Sequence, residues 1–173
     1  MSDRLVRVAA VTALSVVTTA MAARTASAQQ PDSALAGAWT IVSITAGEGD
    51  KKTEPYGPDV KGTQVFDAGG RFAVVVTRGD LPKVAANNRQ KATAEESEKI
   101  VHGSIAYFGS YTTNPTDKTM TLAIEGTTFP NWIGTSQTRS YVITGDEMII
   151  TNPGASSGGT AKVVLKRAGQ KTM

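Results

Sequence analysis

Two arginines share the parity of apolar side chains in segments that read as strands. In "RFAVVVTR", Phe72, Val74 and Val76 fall on one side together with Arg78, and in "QTRSYVIT" Arg139 falls with Tyr141 and Ile143. Period-two alternation sends such residues toward a shared interior. A guanidinium carried inward without a partner is costly, so each of these needs one. Three partners fit: a protein carboxylate such as Glu125 or Asp80, water at a rim, or the carboxylate of a bound molecule, which the planar fork of Arg matches. Tyr107 and Tyr111 sit with Ile105 on the apolar side of "SIAYFGSYT", and Tyr141 sits with Ile143. A buried phenol requires a hydrogen-bond partner, so the interior they line is not wholly apolar.

Groups for acid–base chemistry are few. His102 is the single histidine, and it ends the helix-like run "TAEESEKIVHG", where a cation meets the favourable end of the dipole. Tyr107, Glu125, Asp80 and His102 are the candidates for proton transfer, but no motif assigns any of them a catalytic role. There is no Gly-x-Ser-x-Gly elbow, phosphate-cradling loop or His-Glu-x-x-His. With no cysteine and one histidine, no metal site is expected, nor does any motif call for a cofactor. In "AANNRQK", Asn88 and Arg89 are suited either to orienting a polar ligand or to stabilising a turn through their own backbone. The segment "EGTTFPNWIGT" places Phe129 and Trp132 in what should be a polar turn, which makes them candidates for cavity wall.

The elements that must position these residues are short. Strands are predicted over 39–45, 62–67, 71–78, 104–112, 119–125, 137–144, 147–151 and 160–167. They are separated by the hairpin signals Ala68-Gly69-Gly70, Asn114-Pro115-Thr116-Asp117 and Gly145-Asp146. About eight alternating strands with short links describe an antiparallel barrel or sandwich. One helix interrupts them: Thr93 and Glu96 form a capping-box pattern and Gly103 a stop, predicting a helix over 94–102 after the long connection "RGDLPKVAANNRQK".

The amino terminus reads as a Sec-type signal peptide over residues 1–28. Arg4 and Arg7 precede an apolar run from Val8 to Ala23, and Ala26-Ser27-Ala28 supplies the small residues of a cleavage site. A short polar lead (29–34), a single domain (35–168) and a tail (169–173) are expected to follow, in the periplasm or outside the cell. Without Arg4, Arg7, Arg24 and Asp3, the 18 basic and 15 acidic residues become 15 and 14, and the net charge falls from +3 to +1. The basicity therefore belongs largely to the export signal, and nucleic acid is excluded as a partner because no Lys/Arg patch is interleaved with aromatics. No later segment is long and apolar enough to span a membrane once the signal is removed. A chain with no cysteines must be held by its packed core, for which about 145 residues suffice.

Gly37-Ala38-Trp39 resembles the Gly-x-Trp of the first lipocalin strand, and Lys166-Arg167 closes the last strand. More specifically, "YGPDVKGTQVFDAGGRF", "RGDLPKVAANNR", "GSIAYFGSYT", "IEGTTFPNWIGTSQTRSY" and "TNPGASSGGTAKVVLKR" resemble the bacterial and fungal lipocalin-like domain proteins. The resemblance runs from Leu35 to Arg167. It implies an all-β, up-and-down antiparallel barrel of about eight strands with a central cavity, and a cation–π contact of Arg167 over Trp39 that closes one end. It does not imply one activity, since some such barrels bind small hydrophobic molecules and others act as cyclases or isomerases.

Two functions follow. The first is a binding module for a small hydrophobic or amphipathic molecule, carboxylate-bearing if Arg78 or Arg139 anchors it, with Asn88, Arg89, Tyr107, Tyr111, Phe129, Trp132 and Tyr141 as further contacts. The second is a cofactor-free isomerase or cyclase in the same cavity, which requires two of the acid–base candidates to converge.

Overall fold

The structure, a computed structural model, describes residues 31–47 and 51–169. The expected signal segment 1–28, Gln29 and Gln30 of the lead, and tail residues 170–173 lie outside the described residues. Eight strands follow the alternation of the sequence: β1 (Gly37–Ala46), β2 (Lys61–Phe66), β3 (Arg71–Thr77), β4 (Ser104–Asn114), β5 (Thr119–Thr127), β6 (Ser136–Thr144), β7 (Glu147–Asn152) and β8 (Ala161–Arg167). Each pairs antiparallel with the next, and β8 returns to β1, so the sheet closes into a barrel with no free edge. Helix α1 (Ala94–His102) lies between β3 and β4 with the predicted bounds and the complete capping box from Thr93 and Glu96.

Burial alternates as period two requires. In β3, Phe72, Val74 and Val76 are buried while Arg71, Ala73 and Val75 are exposed. Two bulges re-aim the pattern. In β1 the register shifts between Ile41 and Ser43, which lets Ile41 and Ile44 both face inward despite their odd spacing. In β5, Gly126 pairs with Phe108 and Ile124 with Gly109, leaving Glu125 unmatched. Glu125 is turned outward, where both of its oxygens accept from Arg71 on the barrel's outer surface.

The two ends of the barrel differ. Three tight hairpins close one end, with Asp67 Oδ1 accepting from Gly69 N at 2.5 Å and Asn114 Oδ1 from Thr116 N at 3.1 Å. Trp39, Phe66, Tyr111, Met120, Tyr141, Met148 and Leu165 fill the interior at this end, each buried to within a few per cent. The segment 31–36 lies across it: Trp39 Nε1 donates to Leu35 O at 2.8 Å, and the Tyr141 hydroxyl donates to Asp32 Oδ2 at 2.8 Å. The Arg167 guanidinium sits 4.2 Å from the Trp39 ring centre and donates to Ala36 O and Ala34 O. Gly37, at φ +121, leaves the room that Arg167 occupies, since a Cβ there would lie 3.3 Å from Arg167 Nη1. The opposite end carries the longer β1–β2, β3–β4, β5–β6 and β7–β8 connections, and there the interior is not filled.

Candidate functional site

At the end bearing the long connections, the barrel interior holds a cavity of about 50 Å³. Its wall is mostly apolar: Ile41 and Ile44 from β1, Val74 and Val76 from β3, Ile105 from β4, Ile150 from β7 and Val163 from β8. Gln64, Tyr107, Arg139 and Asn152 bring polar groups from β2, β4, β6 and β7. Tyr56, Trp132 and the 155–157 loop complete the wall nearer the solvent. Among the described residues, no aspartate or glutamate lines it.

Arg139 dominates the site. It is 3 % exposed, and its Nη1 donates to the Tyr107 hydroxyl and its Nη2 to Gln137 Oε1, both at 2.7 Å. Its charge also lies 5.2 Å from the Tyr107 ring centre and 5.8 Å from that of Trp132. None of the ion pairs among the described residues involves it. Arg139 Nε and Gln64 Nε2 are buried donors with no hydrogen-bond partner among the described residues. Orphaned buried donors are rare because each costs most of its desolvation energy.

Trp132 reaches the cavity from a 3-10 turn at Pro130–Trp132. Proline starts this turn, and the strands flanking it clamp it through Gly134 N to Ile124 O and Ile124 N to Thr135 O, both 2.9 Å. Edge-to-face contacts then run inward from Phe129 to Trp132 (5.6 Å), Trp132 to Tyr107 (5.4 Å) and Tyr107 to Phe72 (5.9 Å). Outside the cavity lies an open cleft of about 430 Å³ that includes Pro55, Val101, His102, Thr128 and Phe129. Cleft and cavity share Tyr56, Ile105, Ser156 and Ser157 as a common partition. Burial of the Tyr56 phenol pushes its pKa up, against a hydrogen bond with Ser156 that lowers it.

The remaining sequence candidates fall elsewhere. Arg78 was expected inward, but β3 ends at Thr77, so strand parity no longer governs the next residue. Its guanidinium grips Asp80 at 2.8 and 2.9 Å on the exposed rim, and the pair holds Asp80 below the usual carboxylate range. Asn88 and Arg89 are exposed on the β3–β4 connection, where Asn88 caps a 3-10 turn by accepting from Gln90 N. Tyr111 and Tyr141 face inward but at the filled end, where Tyr111 donates to Asp67 O at 2.9 Å and Tyr141 to Asp32. Burial, then the Asp32 bond, raises the pKa of Tyr141 well above the ordinary phenol value. Phe129 and His102 border the outer cleft, Glu125 lies on the outer surface, and of the four acid–base candidates only Tyr107 lines the cavity.

Sequence reasoning missed Gln64, Asn152, Tyr56 and Ser156. The first two carried a signal: Gln64 shares the parity of Phe66, and Asn152 that of Met148 and Ile150. Tyr56 and Ser156 belong to connections, where no periodicity reports which way a side chain faces.

A closed eight-stranded antiparallel barrel, plugged at the Trp39 end and hollow at the other, carries a match to the lipocalin-like domain family over residues 36–167. The chain belongs to that family. No characterised protein matches it in a comparison with curated sequences. The Arg167–Trp39 closure and the cavity at the opposite end are thus features of a lipocalin-like barrel whose own residues must supply the evidence for its role. No helix among the described residues is long and apolar enough to cross a membrane.

Proposed function

We propose that this lipocalin-like barrel is exported and binds a small hydrophobic or amphipathic molecule in its cavity. The observation that carries the reading is the void at one end, apolar in wall and furnished with a few convergent polar groups, in a barrel whose other end is packed solid. Export rests on Arg4 and Arg7, the apolar run that follows and the Ala26-Ser27-Ala28 site, with the periplasm or the medium as destination. The isomerase or cyclase alternative has less support. Asp80 and Glu125 are committed to arginines outside the cavity, and His102 stands on the rim of the outer cleft, so Tyr107 has no second acid–base candidate beside it.

Native mass spectrometry of the protein purified from its own source tests the binding role. A stoichiometric small molecule, released on activation and absent from a Trp132→Ala variant, is the expected result. A protein that emerges empty, and whose thermal midpoint no apolar or amphipathic compound shifts, would remove the proposal.

A further inference from the structure

We infer that the bound molecule is a carboxylate that enters head first, its anionic group on Arg139 and Gln64 and its apolar remainder passing Tyr56 into the outer cleft. This rests on the binding role proposed above and adds the chemistry and orientation of the ligand. Arg139 is a buried cation whose hydrogen-bond partners among the described residues, Tyr107 and Gln137, are neutral. Water entering the cavity would satisfy Nε but would leave the charge uncompensated, whereas an anion does both. Gln64 Nε2 is a second buried donor unpartnered among the described residues, and β2 and β6 stand on opposite sides of the closed sheet. The Tyr107 hydroxyl accepts from Arg139, which leaves its own proton free to donate. Donors thus face the cavity from three strands, and a carboxylate offers about four lone-pair sites to receive them.

Depth and size set the orientation. Gln64 pairs with Trp39 and Arg139 with Met120, both members of the plug, so these two polar side chains mark the floor of the cavity. A cavity of about 50 Å³ is small beside the about 300–1,000 Å³ of a typical ligand pocket, so it suits the head of a larger molecule better than the whole of it. The rest of a larger ligand can continue across the Tyr56–Ser156 partition, which the cavity shares with the cleft of about 430 Å³ beside Phe129 and Val101.

Calorimetric titration of the full chain with hexanoate, hexanamide, hexanol and hexylamine tests this, with acetate and octanoate added to vary the tail. Hexanoate is expected to bind about tenfold or more tighter than the amide or the alcohol, the difference a buried charge-assisted hydrogen bond makes. Affinity should rise from acetate to octanoate as the cleft takes up the tail. Arg139→Met should erase the preference for hexanoate over hexanol while hexanol still binds, and Gln64→Leu should weaken hexanoate alone. The series on the unaltered protein decides the matter even if a variant does not fold. Equal affinity for hexanoate, hexanamide and hexanol would overturn the anionic head and leave the binding role standing. Acetate binding as tightly as octanoate would overturn the route through the cleft, and chloride or phosphate displacing hexanoate at equal concentration would assign the floor to an inorganic ion. No binding by any member, from a protein that also purifies empty, would remove the binding role itself.

Discussion

Replacing Arg139 by methionine separates an arginine held for a ligand from one that serves the empty fold. The guanidinium gives the ligand-free protein two hydrogen bonds at 2.7 Å, to Tyr107 and Gln137. Bonds from a charged donor are worth about 1.5–3 kcal/mol each. Its contacts with the Tyr107 and Trp132 rings, at 5.2 and 5.8 Å, add about 0.5–2 kcal/mol each. Against these stand a desolvation penalty of several kcal/mol for an ion with no carboxylate partner among the described residues, and about 1–3 kcal/mol for the orphaned Nε. The opposing sums are of similar size. Methionine fills similar length without charge, so the ligand-free variant should fall within about 1.5 kcal/mol of the parent in either direction. Breaking a buried ion pair would instead cost about 3–5 kcal/mol. Urea unfolding of ligand-free protein at unchanged m reads the difference. A loss above about 3 kcal/mol would refute the reasoning and make Arg139 part of the core's own architecture.

Trp132→Ala should weaken any cavity ligand while lowering stability by less than the about 3–5 kcal/mol of a fully buried Trp truncation, because the indole is only half-buried at the rim. A collapse of the fold in denaturant titration would make the loop core instead of wall. Alkali should destabilise the protein through Tyr56, Tyr111 and Tyr141, whose folded pKa values are all raised by burial. Above pH about 10 the unfolded chain releases these protons while the folded one keeps them, so stability falls by up to about 1.4 kcal/mol per pH unit for each tyrosine until the folded phenols ionise. Chemical unfolding followed across alkaline pH checks the sign; stability constant or rising there would contradict it. Gly109→Ala should cost about 1–3 kcal/mol or more in thermal unfolding, since a Cβ there would collide with Ala123 O across the β4–β5 bulge. An unchanged midpoint would show that the bulge relaxes freely.

Strand alternation was legible because a half-buried strand writes its two faces into every second residue. Phe72, Val74 and Val76 in β3 and Tyr107 and Tyr111 in β4 faced where parity placed them. The capping box of α1 was equally local, since Thr93 and Glu96 satisfy each other's backbone three residues apart. Parity failed where a strand stopped: Arg78 lies just past β3, which ends at Thr77. Tyr111 and Tyr141 show a further limit. Parity says that a side chain points inward but not how far along the barrel it sits, and that depth divides plug from cavity.

The chain's own residues thus sufficed for an antiparallel β architecture, its turns, its helix and the inward face of Arg139, all properties of near neighbours along the sequence. Only closure of the sheet decided that Gln64 and Arg139 stand across one cavity, that Tyr56 and Ser156 partition it from the cleft, and that Glu125 and Asp80 are spent on other arginines. Those relations join residues tens of positions apart, through register and bulges that local spacing does not encode. The absence of a carboxylate beside Arg139 is of the same kind. Arg139 announces a charge, and only the packed barrel reveals that no carboxylate among the described residues meets it.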